Sequence, residues 1–130
     1  MKTIFAFFML FSFIQIGSSQ ISAKWIGGHS GRPNDWNCSN NWSNNKVPNE
    51  FTDVVVSFVD FNDPTYPIIK SGLCKVHSLR IQYGTILKID SKAKLTVLTE
   101  SSTPLDLRTI KLKGSLVTPN GSMEIAYQGL

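Results

Sequence analysis

The residues nearest to a serine nucleophile are Gly28-His29-Ser30-Gly31. A nucleophile of the elbow type needs Gly-x-Ser-x-Gly on a sharp turn between a strand and a helix. Arg32 occupies the position of the second glycine, and the surrounding glycine and proline residues favour loops over a helix. Phosphate-binding glycine loops are absent from the sequence as well. We therefore predict no catalytic residue and no cofactor, and expect that the protein is not an enzyme.

The only acidic cluster consists of Asp53, Asp60 and Asp63. Paired carboxylates could serve a glycosidase or a polysaccharide lyase, and residues 60–63 offer oxygen ligands for calcium. Their spacing matches no calcium-binding loop, however. Aspartate is common in turns because its side chain hydrogen-bonds the nearby backbone. The sequence therefore favours turns at these positions, and we predict no metal site.

The chain has two cysteines, Cys38 and Cys74, and two histidines, His29 and His77. An even number of cysteines in an exported chain favours a disulfide, which would stabilise the fold by roughly 4 kcal/mol. Two free, buried thiols are the alternative. We predict no zinc site, because neither Cys-x-x-Cys nor His-x-x-x-His spacing is present.

The three tryptophans are Trp25, Trp36 and Trp42. They could form a flat platform that stacks on the rings of a sugar. Tryptophan is also the residue with which a small module fills a large gap in its core. We favour packing of these side chains in an N-terminal cap, and the ligand platform stays open as the alternative.

The N-terminal residues 1–19 have the layout of a signal peptide. Lys2 supplies the positive charge, residues 4–16 are mostly apolar, and Gly17 and Ser19 precede the predicted cleavage site before Gln20. The apolar run has about 13 residues, whereas a membrane-spanning helix needs roughly 20. An uncleaved membrane anchor is the alternative, and no later segment is apolar enough to span a membrane. We expect a secreted or cell-surface protein.

The rest of the chain divides into a loop-rich segment and a segment rich in short strands. Residues 20–52 contain many Gly, Pro and Asn residues and all the tryptophans, which favours turns and predicts an N-terminal cap. The β-branched run Val54-Val55-Val56 predicts a buried strand. Ile68-Ile69 predicts a second, brief strand. If the strands that follow form a solenoid, a cap of this kind would cover the apolar core and the open strand edges of its first coil.

Apolar pairs then recur at an offset of eight residues: Leu79 and Ile81, Leu87 and Ile89, Leu95 and Val97. Each pair alternates with polar residues, so that one side faces inward. Hairpins favour Asn-Gly or Asp-Gly turns, and Asn120-Gly121 is the one such dipeptide. We therefore predict an all-β fold over residues 53–130, a short right-handed parallel β-helix of about three coils. A meander of hairpins in a sandwich or barrel is the alternative.

Basic residues are concentrated in the second half of the chain. From Lys70 onward there are nine Lys and Arg residues against four acidic ones, Asp90, Glu100, Asp106 and Glu124. The formal net charge of +4 is too small to indicate a nucleic-acid partner. Lysine on the edge of a sheet discourages aggregation, so we expect these lysines to protect strand edges.

A succession of motifs resembles the N-terminal W-x-G, D-W, N-W-S, V-P β-helical module of large secreted or surface proteins of Bacteroidetes-type bacteria. The motifs in the first half are Trp25-Ile26-Gly27-Gly28, Asp35-Trp36-Asn37, Asn41-Trp42-Ser43, Val47-Pro48 and Asp53-Val54-Val55-Val56. Those in the second half are Tyr66-Pro67-Ile68-Ile69, Cys74 with Ser78-Leu79 and Ile81, Gly84 with Leu87 and Ile89, Leu95 with Val97, Gly114-Ser115-Leu116 and Gly121-Ser122-Met123. Fewer residues, namely Trp25, Asn41-Trp42 and Pro48, resemble the extracellular start of amnionless, an animal endocytic co-receptor.

The bacterial resemblance implies the N-terminal part of a larger exported protein, with the β-helical region truncated at its C-terminus. Taken with the absence of catalytic motifs, it leads us to expect a non-catalytic structural or adhesion module. Its expected partners are downstream modules of the same polypeptide or surface glycans. The alternative is the carbohydrate-binding portion of a β-helical enzyme that degrades polysaccharides, although a fold alone does not fix a function.

Overall fold

The computed structural model describes residues 20–59, 65–99 and 109–119, and the backbone of 121–123. The predicted signal peptide therefore lies outside the described residues. The strands are β1 (Ile21–Lys24), β2 (Thr52–Val56), β3 (Ile68–Val76), β4 (Ser78–Ile81), β5 (Leu87–Val97), β6 (Ile110–Leu112), β7 (Ser115–Thr118) and β8 (Gly121–Met123). A 3₁₀ turn, Ser39–Asn41, lies between β1 and β2.

One sheet has three parallel strands in the order β1-β2-β4. Their register places Ala23 beside Val54, and Val54 beside Leu79. All three side chains are buried. The β-branched residues of β2 suit this position because they pack well on a pleated surface. The row of apolar residues across the sheet therefore forms one part of the core.

The other sheet has five strands, and β5 lies at its centre. On one side β5 pairs in parallel with β3, and on the other it pairs in parallel with β6 and then β7. The rows Ile69-Ile89-Leu112 and Leu95-Leu116 follow from this register, and these side chains are buried. The alternation that predicted inward-facing residues is thus confirmed within this strand.

The hydrogen-bond ladder between β3 and β5 changes register between Ile69 and Ser71, opposite the middle of β5. On the other side of β5, Gly114 lies between β6 and β7. A Cβ atom at position 114 would collide with the carbonyl oxygens of Asp90 and Ala93. Because these oxygens belong to the backbone, no rotamer change could relieve the collision. Position 114 therefore requires glycine for the close approach of two backbone segments.

The all-β class agrees with the structure, whereas the predicted right-handed parallel β-helix of about three coils is wrong. The described strands form two small, separate sheets of three and five strands, and not a closed or solenoid sheet. The offset of eight residues caused the error. Leu87, Ile89, Leu95 and Val97 all belong to the single strand β5, while Leu79 lies on β4 in the other sheet. The repeated pairs are therefore not equivalent positions in successive coils.

The last strand pair also departs from a purely parallel arrangement. β7 and β8 are antiparallel, and Thr118 lies opposite Gly121. Gly121, the second residue of the Asn120-Gly121 dipeptide, is thus the first residue of β8.

Candidate functional site

The three tryptophans meet in one cluster in the N-terminal segment. Trp42 lies between the other two, with ring centroids 5.0 Å from Trp25 and 4.8 Å from Trp36, and both contacts are edge-to-face. The indole N–H of Trp42 donates to the backbone oxygen of Trp36 over 2.8 Å. That of Trp25 donates to the backbone oxygen of Thr65 over 2.7 Å. The cluster therefore ties the N-terminal loops to the segment that enters β3.

The relative exposure of these three side chains is 1% or less. A sugar ring can stack only on an indole face that solvent can reach. Here the indoles cover one another and the surrounding core, so a platform made of Trp25, Trp36 and Trp42 would require the cluster to open. The three side chains therefore pack in the interior of the N-terminal segment.

Asn41 organises the loop around this cluster. Its Nδ2 donates to the backbone oxygens of Arg32 at 2.6 Å and Asp35 at 3.1 Å. Its Oδ1 accepts from the backbone N–H of His29 at 2.9 Å. The side chain is fully buried, so the amide replaces water for three backbone groups. Sequence reasoning placed Asn41 in a motif without assigning this role.

The N-terminal segment also covers an edge of each sheet. On the outer side of β1, Ser43 donates its N–H to the oxygen of Lys24, and the N–H of Lys24 donates to Ser43 Oγ, both at 2.9 Å. At the start of β3, the N–H of Ile68 donates to Asn34 O and the N–H of Trp36 donates to Ile68 O. Residues 20–52 therefore supply the first strand of one sheet and the cover for both.

The cysteines are not bonded to each other. Cys38 is buried and follows the bridge between Asp35 and Ile68 at the start of β3. Cys74 is near the other end of that nine-residue strand. A disulfide needs Cα atoms within about 7 Å, so the length of β3 explains why the predicted bridge is absent. Burial raises the pKa of the Cys74 thiol, which keeps it in its less reactive, protonated form.

Asp53, His77 and Ser78 form a polar group at the start of β2 and β4. His77 Nδ1 lies 2.9 Å from Asp53 Oδ1, and the hydroxyl of Ser78 donates to the same oxygen over 2.5 Å. A catalytic triad would need the serine hydroxyl at the far nitrogen of the histidine ring. Because Ser78 binds the carboxylate instead, these residues link neighbouring strands and activate no nucleophile. No sequence pattern indicates this contact, since it depends on the register of β2 and β4.

Substituting Asp53 with Asn is expected to make the stability of the folded state depend less on pH under acidic conditions. The hydrogen bond from Ser78 and the adjacent His77 hold the pKa of Asp53 below its ordinary value, and burial opposes them. The unfolded chain therefore binds this proton more readily, so the stabilisation is present above about pH 4 and is lost as the pH falls further. Acid unfolding followed by circular dichroism should show a shallower acid limb for Asp53→Asn. An unchanged acid limb, indistinguishable from that of the exposed control Glu50→Gln, would contradict this assignment.

The remaining sequence candidates form no site in the described part of the chain. Ser30 lies in an exposed turn, and Asp60 and Asp63 lie outside the described residues. Among the residues that the structure describes, no group of three or more His, Cys, Asp or Glu side chains is placed to hold a metal ion. The same residues contain no helix long and apolar enough to cross a membrane.

A group of exposed lysines, which we call the lysine face, lies on the solvent side of the five-stranded sheet and in the turn between β6 and β7. It consists of Lys70, Lys75, Lys88, Lys92, Lys94, Lys111 and Lys113, all exposed. Lys88 and Lys111 are direct partners in the ladder between β5 and β6. None of these lysines forms an ion pair with another described residue. The face therefore presents several positive charges without a salt bridge to the described residues, and Lys70 also interacts electrostatically with Asp35.

Only one acidic residue, Asp90, lies on the described parts of these strands. Beside the lysines, Leu73 is 81% exposed and is the register partner of Lys94. The surface thus combines hydrated charges with a single large apolar side chain. It is suited to contact with an extended, negatively charged partner, because the electrostatic potentials of several like charges add together at the surface.

Comparison with known proteins gave no match for this chain, whether to a protein-family model, to a curated protein or to a solved structure.

Proposed function

We propose that the protein is a non-catalytic structural and contact module of a secreted or cell-surface protein, and that it makes contacts through the solvent sides of its strands. The observation that carries this proposal is the contrast between the buried tryptophan cluster and the exposed lysine face. The tryptophans and Asn41 are buried in internal contacts. The lysine face, by contrast, is exposed and forms no salt bridge with the described residues.

The resemblance to modules of bacterial surface proteins supports the same proposal, as does the layout of residues 1–19. In such a module the cap would prevent the first strands from pairing with other chains, because exposed strand edges promote aggregation. The outward side chains of the sheets would then be the surface available to partners. Downstream modules or surface glycans are the proposed partners.

The alternative is the carbohydrate-binding portion of a polysaccharide-degrading enzyme. It would use exposed aromatic faces for sugar rings, as stacking requires. The burial of all three indoles favours the contact module over this alternative. Exposed aromatic rings do occur outside the cluster: Phe58 and Tyr83 follow the ends of the neighbouring strands β2 and β4, and Phe51 precedes β2. The three tryptophans that the alternative requires are not among them.

The proposal is tested by attaching the purified protein to beads and offering labelled polysaccharides and cell-wall fragments. We expect retention of one class of polymer without any rise in reducing ends or unsaturated products over time. Beads that carry the heat-unfolded protein are the control and should retain much less. Release of shortened polymer would support the enzyme alternative, and equal retention by folded and unfolded protein would exclude a specific contact surface.

A further inference from the structure

We propose that the lysine face binds a linear acidic polysaccharide, that is, a chain carrying carboxylate or sulfate groups. This inference rests on the proposed function, because it names the partner of that contact surface. It concerns a surface whose lysines the sequence analysis had assigned to protection of strand edges.

Edge protection does not account for the central lysines. Lys88, Lys92 and Lys94 lie on β5, which has β3 on one side and β6 and β7 on the other. A strand paired on both sides has no open edge to protect. Edge protection does fit Lys70 and Lys75 on the outer strand β3, and Lys111 on β6, which pairs with β5 alone among the described strands. The expectation from sequence is therefore corrected for β5.

The lysines repel one another, and a bound anion would reduce this repulsion. Lys88 and Lys111 occupy partner positions on neighbouring strands, and like charges directly opposite each other destabilise a sheet. Neighbouring strands are about 4.8 Å apart, and alternate residues along a strand about 7 Å apart. Each lysine thus lies close enough to the next for one bound chain to neutralise several of them.

The exposure of all seven lysines favours a polymer over a small anion. The lysines lie on the exposed side of a sheet, with no buried donor among them to enclose a single phosphate or carboxylate. Affinity would then come from many weak contacts along an extended chain. Such binding releases counterions and falls steeply as the salt concentration rises.

The composition of the face favours a polysaccharide over a nucleic acid. All seven charges are lysines, which act as hydrated point charges, whereas arginine has the planar fork that suits phosphates and bases. Single strands are bound through stacking on aromatic rings, and the exposed residue beside Lys94 is Leu73. The major groove admits a helix or a two-stranded ribbon, and not the face of a five-stranded sheet.

The test measures binding of fluorescently labelled dextran sulfate, polygalacturonate, neutral dextran and a short DNA duplex to the purified protein at several salt concentrations. We expect the two acidic polysaccharides to bind, and neutral dextran not to bind. The double variants K88Q/K111Q and K92Q/K94Q should each weaken binding roughly tenfold or more. Each should also reduce the steepness of the plot of log affinity against log salt concentration by about two. The arginine variant K88R/K111R should retain binding, since it keeps the charge.

The matched control is K24Q/K46Q, which removes the same charge from exposed lysines outside the face. We expect this control to change the affinity by less than about twofold. An equal loss in the control and the face variants would overturn the inference, because net charge alone would then explain binding. Tighter binding of the DNA duplex than of both acidic polysaccharides would overturn the choice of partner.

Size-exclusion chromatography of the same variants separates binding from protection against aggregation. We expect the glutamine variants to elute as the unmodified protein does. Their aggregation would assign the lysines to solubility and overturn the inference. If K88Q/K111Q and K92Q/K94Q leave polymer retention unchanged, the lysine face is not the binding surface, while the proposed contact function stands. If no polymer or cell-wall fragment is retained at all, both proposals fail.

Discussion

Replacing Trp42 with alanine is expected to lower the free energy of unfolding by about 3–5 kcal/mol, the range for removal of a buried aromatic side chain. Trp42 packs edge-to-face on both Trp25 and Trp36, and its N–H satisfies the backbone oxygen of Trp36. The substitution therefore removes packing from two neighbours and leaves a buried oxygen unpaired. Urea unfolding followed by circular dichroism measures the loss.

Tyr83→Ala is the control for this experiment, because Tyr83 is 85% exposed. Its effect should stay within about 0.5 kcal/mol, as for most surface substitutions. A loss below about 1 kcal/mol for Trp42→Ala would mean that the tryptophan cluster is not part of the core, and the case for an exposed indole platform would return.

The second large effect is expected for Asn41→Ala, at about 2–4 kcal/mol, since each unsatisfied buried group costs about 1–3 kcal/mol and water compensates in part. The substitution leaves the backbone oxygens of Arg32 and Asp35 and the N–H of His29 without their side-chain partner. The same urea titration reports this change. In addition, hydrogen exchange at His29 should become faster, because its N–H loses its acceptor.

The neighbouring residue gives a matched control. Asn40 is exposed, and its side chain makes one long contact, 3.5 Å, with a ring nitrogen of His29. Asn40→Ala should therefore change the stability by no more than about 0.5 kcal/mol. Equal losses at positions 40 and 41 would contradict the role that the structure gives to the buried amide.

The local features of the fold could be predicted from the sequence. The β-branched run at Val54-Val55-Val56 forms β2, and the inward alternation at Leu87 and Ile89 is confirmed by their burial. The assembly of the strands could not be predicted in this way. Two apolar pairs at a fixed offset are compatible with two strands or with one long strand, and only the hydrogen-bond register of β5 distinguishes them.

The same limit applies to the candidate site. The sequence indicated that the tryptophans could pack together, but the predicted disulfide ignored the length of β3 between Cys38 and Cys74. The contact between Asp53 and His77 joins residues 24 positions apart, and no local pattern indicates it. Likewise, the lysines of β5 could be taken for edge residues only while the position of that strand in its sheet was unknown.

The most direct test of the account follows tryptophan emission while dextran sulfate or polygalacturonate is added, with binding monitored in the same sample by the anisotropy of the labelled polymer. We predict saturable, salt-dependent binding with unchanged tryptophan emission, since the proposed contact surface is the lysine face and the indoles are buried. Binding that shifts the emission saturably, and that is lost in Trp36→Ala while the variant remains folded, would contradict it and place the ligand on the tryptophan cluster.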